Sequence, residues 1–144
     1  MKHLVILMIM SILSSCTFNK KDCISLISGS DHCYWRWKYC QESDIFLYYY
    51  FDNTGKWLDF EQDSNDKKIK RKKQGCELYS NNWSVIDGKS FAFGGGVFKA
   101  TIQAFNDTIV VLKINDEYPF VLYKVEKNSM EYNQLEKAKK NLYD

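Results

Sequence analysis

Short runs of aromatic and β-branched residues, separated by turn residues, constrain the fold of this chain more than any other feature. Residues 33–40 (CYWRWKYC) alternate strictly, so that Trp35 and Trp37 fall on one face and Arg36 and Lys38 on the other. Such alternation is typical of a strand with one buried face. The sequence predicts further strands at residues 45–51, 56–61, 76–86, 90–93, 97–105, 108–114 and 120–126. The predicted fold class is therefore all-β.

The connections between these runs predict how the strands are joined. Residues 52–55 (DNTG) and Asp87-Gly88 are typical of tight turns, and no long helical segment separates consecutive strands. Eight meandering strands can remove their exposed edges by closing on themselves. From Ser129 onward the apolar spacing becomes that of a helix, with Asn128 or Ser129 as its cap. We therefore predict an eight-stranded antiparallel up-and-down barrel with a C-terminal α-helix.

The N-terminal segment predicts secretion. Met1-Lys2-His3 is a short basic start, residues 4–13 form an almost unbroken apolar run, and the small residues Ser14 and Ser15 follow. The run is too short for a membrane-spanning helix, which needs ~20 apolar residues, and has the length of a signal-peptide core. Residues 1–15 are therefore predicted to be a signal peptide.

The end of this segment also resembles a known processing site. Leu13-Ser14-Ser15-Cys16 resembles the lipobox of bacterial lipoproteins. The resemblance implies cleavage before Cys16, lipid on its sulfur and an acyl chain such as palmitate on its amino group, with residues 16–30 forming the lipidated cysteine and a tether. Thr17, rather than aspartate, follows Cys16, and the resemblance therefore favours the outer membrane of a Gram-negative envelope. The alternative is an ordinary signal peptide that leaves Cys16 as a plain thiol.

The remaining cysteines predict disulfide bonds. Cys23, Cys33, Cys40 and Cys76 are an even number in a secreted chain. Cys33 and Cys40 lie at opposite ends of one predicted strand, ~23 Å apart, which is too far for a bond between them. The predicted strand directions favour Cys23–Cys33 with Cys40–Cys76 over Cys23–Cys40 with Cys33–Cys76. The spacings match no zinc pattern such as C-x₂-C, so no metal site is predicted.

Several segments together resemble the lipocalin-like domains found on bacterial lipoproteins. They are Trp35 with Trp37, the apolar strand that leads into residues 51–56, and residues 83–88 and 120–123. We assign residues 31–144 to this domain. An eight-stranded barrel can leave room for one small ligand, and the candidate pocket residues are Trp35, Trp37, Tyr39, Trp57, Trp83, Phe91 and Phe93. The alternative for the same aromatic side chains is core packing.

Residues 67–73 are the most strongly charged stretch of the chain. The basic side chains are Lys67, Lys68, Lys70, Arg71, Lys72 and Lys73. They form a candidate basic rim at the more open end of the barrel, for an anionic lipid headgroup, a glycan or an acidic protein partner. The alternative is a solvated loop. The net charge of the whole chain is only +2, which argues against nucleic acid as a partner.

Catalysis and cofactors are not predicted. His32 is the only histidine after residue 3 and adjoins a cysteine expected to be oxidised, so no Ser-His or Cys-His pair can be assembled. Two hypotheses for function remain. One is a carrier of a small hydrophobic or amphipathic anionic ligand; the other is a protein-binding inhibitor or immunity-type lipoprotein that uses its surface and basic loop. An empty apolar interior favours the first and a filled one the second.

Overall fold

A computed structural model describes residues 18–38, 44–72 and 80–141 of the chain. It is mostly β: one nine-stranded sheet with two helices. The helices are α1 (Lys20–Ser28) and α2 (Met130–Lys140). The strands are β1 (His32–Lys38), β2 (Phe46–Asp52), β3 (Trp57–Gln62), β4 (Ile69–Arg71), β5 (Trp83–Val85), β6 (Ser90–Phe93), β7 (Phe98–Phe105), β8 (Ile109–Ile114) and β9 (Pro119–Lys124).

The sheet consists of two antiparallel meanders that meet in its centre. The strand order is β4-β3-β2-β1-β9-β8-β7-β6-β5. The first strand pairs with the last, with Trp35 opposite Lys124 and Arg36 opposite Tyr123. The all-β prediction and the C-terminal helix are confirmed. The closed eight-stranded barrel is not, because the sheet has nine strands and ends in two edges, β4 and β5.

The edge strand β5 approaches the start of β3 without forming a ladder with it. Lys56 and Asn82 form an isolated antiparallel bridge. The Trp57 amide donates to the Asn81 carbonyl at 2.7 Å, and the Trp83 amide donates to the Gly55 carbonyl at 2.8 Å. Strand β4 is only three residues long and pairs with the end of β3, so the start of β3 is left facing β5.

Strand β4 lies within residues 61–75, which are predicted to be a loop. Every neighbouring pair of strands in the sheet is antiparallel, so β4 and β5 run in the same direction, and β4 adds no reversal to the predicted strand directions. A Cys40–Cys76 bond stays a prediction. Both of these cysteines lie outside the described residues, as do Cys16, Tyr39 and Lys73.

Helix α1 occupies much of the segment predicted to be a tether. Asn19 caps it, accepting from the Asp22 amide while Asp22 accepts from the Asn19 amide. This reciprocal pair is a capping box, which favours helix initiation. Cys23 and Ile27, one turn apart, are fully buried. The folded domain therefore begins before residue 31.

A large apolar cluster fills one face of the sheet, and α1 packs against it. This α1-side cluster contains Cys23, Ile27, Cys33, Trp35, Trp37, Phe51, Trp57, Trp83, Phe91, Phe93, Ala100, Ile102, Val110, Leu112, Ile114 and Leu122. The indole N–H of Trp35 donates to the Ile27 carbonyl at 2.8 Å, which fixes the end of α1 on β1. Helix α1 thus covers one end of this face.

Helix α2 covers the opposite face of β1 to β4. This α2-side cluster contains Tyr34, Tyr48, Tyr50, Leu58, Phe60, Ile69, Val125 and Leu135. Ser129, one of the two predicted caps, accepts from the Tyr132 amide at 3.0 Å. Alternate residues of β1 therefore enter different clusters, as the period of a strand requires.

Cys23 and Cys33 are both buried and are free thiols in the structure. Burial, with a smaller effect from Asp87, raises the pKa of Cys23 to about 11. Burial also raises the pKa of Cys33, although Lys124 and Lys127 oppose it. Thiols with raised pKa react slowly, because the thiolate is the nucleophile. A bond between these two cysteines stays a prediction.

Candidate functional site: the groove between α2 and β4

The aromatic side chains predicted to line a pocket pack against one another. Trp35, Trp37, Trp57, Trp83, Phe91 and Phe93 are all buried in the α1-side cluster. Ring centroids lie 5.2 Å apart for Trp57 and Phe93, 5.8 Å apart for Trp83 and Phe91, and 5.3 Å apart for Phe51 and Trp83. These are the distances of aromatic rings in contact. The structure therefore places the six residues together as packed core.

The indole of Trp57 carries a polar atom into this core. The indole nitrogen of Trp57 is buried and has no hydrogen-bond acceptor among the described residues. A buried donor without an acceptor costs ~1–3 kcal/mol. Trp35 and Trp83, by contrast, donate to the carbonyls of Ile27 and Asp52.

Residues 67–71 of the basic run belong to an ordered hairpin formed by β3 and β4. The Asp63 amide donates to the Lys68 carbonyl at 2.8 Å, and the Asp63 carboxylate accepts from the Asn65 amide. Lys67 has a φ of 56°, in the left-handed region that a tight connection requires. The structure thus supports a defined surface rather than an irregular loop at the predicted basic rim.

Two of the lysines in this hairpin are paired with aspartates. Lys70 lies 2.9 Å from Asp63, and Lys68 lies 3.4 Å from Asp66. The hydrogen bond from Lys70, with backbone amides of the turn, lowers the pKa of Asp63 to about 2. Arg71 donates to the Asn81 side chain at 3.1 Å. The predicted rim is therefore less positive than its sequence indicates.

A groove runs between this hairpin and helix α2. Its volume is about 340 Å³, and it is lined by Lys68, Ile69, Gln134, Lys137, Ala138 and Asn141. Gln134, Lys137 and Ala138 of α2, with its C-cap Asn141, recur at the three- and four-residue spacing of one helix face. Ile69 and Ala138 supply apolar surface, and Lys68 and Lys137 supply positive charge. Pockets of this size hold small ligands or single side-chain anchors.

A polar cluster fixes α2, and so one wall of the groove, on the sheet. His32 lies 2.9 Å from Glu136 through Nε2 and 2.7 Å from Asp31 through Nδ1. Glu136 also accepts from Tyr34 at 2.8 Å and from Lys139 at 2.9 Å. Further along the helix, Glu131 accepts from the Tyr48 hydroxyl at 2.8 Å and from Arg36 at 3.3 Å. Contacts from β1 and β2 therefore hold two turns of the helix.

The carboxylate at the centre of this cluster has a pKa below the ordinary value of a glutamate. Burial acts to raise the pKa of Glu136, but hydrogen bonds from Lys139 and Tyr34 and the charges of Lys139 and His32 outweigh it, so that its pKa is lowered. Burial and the bond to Glu136 together raise the pKa of Tyr34. Tyr34 therefore acts as a neutral donor.

Sequence reasoning missed this polar cluster. The sequence predicts no partner for His32, yet its side chain contacts Glu136, which is 104 residues away in the chain. The i, i+5 spacing of Glu131 and Glu136 on a predicted helix gives no indication of what the two carboxylates face. Only the pairing of β1 with β9 brings α2 next to β1.

Other features of the described residues can be stated briefly. Within residues 18–38, 44–72 and 80–141, no group of three His, Cys, Asp or Glu side chains could hold a metal ion. No helix in the same part of the chain has the length and apolar character needed to cross a membrane. Comparison of the chain with protein-family models, curated proteins and solved structures finds no match.

Proposed function

We propose that this protein is a lipid-anchored lipoprotein of the bacterial envelope that binds an acidic protein partner through the α2–β4 groove. The observation that carries the proposal is the packing of Trp35, Trp57, Phe91 and Phe93, which occupy the face where a small ligand was expected. Recognition is then left to the outer surface, where the groove lies. The protein on this proposal is not an enzyme and needs no cofactor.

The N-terminal sequence supports the anchor. Residues 1–15 have the signal-peptide pattern, and Cys16 ends the lipobox-like segment. Each buried lipid CH₂ contributes ~0.8 kcal/mol, so several acyl chains on one cysteine hold a protein stably on a membrane. Thr17 favours the outer membrane of a Gram-negative cell.

We also infer a lipocalin-like architecture. The pairing of β1 with β9 supports it, because the first and last strands are neighbours in an up-and-down barrel. The Lys56–Asn82 bridge, between the residues that precede β3 and β5, supports it further. On this view the sheet is a barrel with one incomplete seam, between β3 and β5.

The lining of the groove indicates the chemistry of the partner. Lys68 and Lys137 flank the apolar surface of Ile69 and Ala138. A segment with one apolar side chain between Asp or Glu residues fits this arrangement. Exposed charges of this kind mainly accelerate association and make it dependent on salt. We therefore expect binding that weakens as ionic strength rises.

Charge reversal in the groove tests the proposal. The double variant Lys68→Glu, Lys137→Glu should lose at least ten-fold in affinity for the partner captured by the wild-type protein from detergent-solubilised envelope. The matched control, Lys99→Glu with Lys127→Glu, changes the same charge at two exposed positions outside the groove. Titration of the purified partner against the three proteins measures the difference. Equal affinity for all three would contradict the proposal.

A second candidate function is the carriage of a small amphipathic anion within the α1-side cluster. The unpartnered indole N–H of Trp57 favours it, because a ligand oxygen could accept that hydrogen bond. Titration with a long-chain fatty acid, followed by tryptophan fluorescence, tests this candidate. Saturable 1:1 binding that is weakened in Trp57→Phe would support carriage; no saturable binding would exclude it for this ligand class.

A further inference from the structure

Exposed apolar side chains surround the N-terminal end of α1. Ile24 is 36% exposed, Ile86 is 45% exposed and Phe105 is 52% exposed. They belong to α1, to the connection after β5 and to the end of β7. Large apolar side chains that share one area of surface often mark an interaction site.

Direct contacts join these elements at Phe18. The rings of Phe18 and Phe105 are 5.1 Å apart. A Cβ on Gly88 would overlap the Phe18 carbonyl oxygen, so the β5–β6 connection touches the backbone just before α1. Ile24 and Val85 line the same cavity of about 180 Å³. We call this area, formed by Phe18, Ile24, Ile86 and Phe105, the α1-end surface.

The sequence places this surface beside the lipid attachment point. Phe18 is two residues after Cys16, a distance of at most ~7 Å in an extended chain. We propose that the α1-end surface docks on the lipid bilayer, with Ile86 and Phe105 in the interfacial region of the membrane. This inference rests on the proposed anchor at Cys16. It also predicts how the folded domain is oriented: the β6–β7 and β8–β9 turns point away from the membrane.

The charges at this surface indicate the kind of membrane contact. Three lysines and three aspartates lie in the first turn of α1 and on the β5–β6 and β7–β8 connections: Lys20, Lys21, Lys89, Asp22, Asp87 and Asp107. These charges cancel, so no attraction to anionic headgroups is expected. Burial of apolar area is then the main contribution, as for other interfacial anchors. Docking should occur on zwitterionic lipid and should persist at high salt.

Quenching by brominated lipid tests the orientation. The full-length protein is expressed with its leader, purified as the lipidated form and reconstituted into phosphatidylcholine vesicles with or without bromine on the acyl chains. Phe105→Trp and Ile86→Trp each add one reporter at the α1-end surface, and Tyr118→Trp adds one at the opposite end, where Tyr118 is 88% exposed. Wild-type fluorescence is subtracted. We expect at least two-fold stronger quenching of the first two reporters than of the third, at both low and high salt.

Two results would overturn the inference, and they are distinguishable. Equal quenching of all three reporters, with Cys16 shown by mass spectrometry to carry lipid, would refute the orientation and leave the anchor intact. A bare Cys16 would refute the anchor and the orientation together. The two reporter positions lie on different strands or turns, so misfolding of one variant leaves the other to decide.

Discussion

Glu136 joins α2 to strand β1 through side-chain hydrogen bonds. One of its oxygens lies within hydrogen-bonding distance of His32, Tyr34 and Lys139. Its side chain is 25% exposed, so the interactions are only partly screened by water. Hydrogen bonds to charged groups in such surroundings contribute ~1.5–3 kcal/mol.

Glu136→Gln is therefore expected to destabilise the protein by ~1–3 kcal/mol at neutral pH. Because the Glu136 pKa is lower in the folded protein than its ordinary value of 4.5, its carboxylate stabilises the fold above that pH. This contribution is lost as the pH falls through the lowered pKa. The difference between variant and wild type, measured by urea unfolding at pH 7 and pH 3, should shrink in acid. Glu117→Gln, at an exposed position, serves as the control.

A difference that stays constant with pH would mean that the effect of Glu136→Gln is one of packing rather than charge. His32 and Lys139 are the cationic or ionisable partners that face Glu136, and Tyr34 is its neutral donor. Lys139→Met should therefore remove part of the same pH-dependent difference.

At the scale of residues, alternation and turn chemistry are reliable predictors here. Trp35 and Trp37 are buried as the alternation of residues 33–40 predicts. Asp52 accepts from the amides of Thr54 and Lys56 in the predicted turn. The sequence does not predict that Lys70 is paired with Asp63, because this pairing depends on the hairpin formed by β3 and β4. Local rules describe what a residue does to its own backbone, not what it faces.

Helix α2 is the element on which the groove depends. Leu135 is fully buried between α2 and the sheet, while Ala138, on the same face, reaches the groove. Leu135→Ala should cost ~2–5 kcal/mol, as cavities in packed cores do. Because α2 forms one wall of the groove, affinity for the partner should fall to the extent that α2 no longer packs on the sheet. Unfolding and binding measurements on the same variant would test this link.

The control for this variant is Met130→Ala, which shortens an apolar side chain that is 78% exposed on the same helix. It should change stability by less than ~0.5 kcal/mol. If Leu135→Ala binds the partner as tightly as the control does, the groove is not the binding surface.

Elements with a clear period were predictable, and the two short ones were not. Helix α2 was predicted from its apolar spacing, and its cap is Ser129. Helix α1 has only nine residues, and Cys23 with Ile27 is a single repeat of the helical apolar spacing. Its capping box at Asn19 and Asp22 was nevertheless visible in the sequence. Strand β4 has three residues, Ile-Lys-Arg, too few to show any period. Tertiary pairing with β3 makes it a strand.

At the scale of the whole molecule, the closed barrel was the natural expectation from eight predicted strands. The extra strand β4 runs in the same direction as β5, and the two lie beside different parts of β3. Strand β4 pairs with the end of β3, whereas Asn82, just before β5, bridges to Lys56, just before the start of β3. The site was less predictable than the fold. The basic run was found, but the apolar wall of the groove comes from α2, and nothing in the sequence indicates which strands that helix covers.

The central pairing of β1 with β9 has a consequence for chain connectivity. Residues 18–72 contain one complete meander and residues 80–141 the other. Two separately expressed polypeptides with these limits should reassemble without a covalent bond, because α2 from the second packs on the strands of the first. Co-purification under reducing conditions, with recovery of near-ultraviolet circular dichroism, measures this. A break within residues 53–55 divides a meander and should abolish complementation.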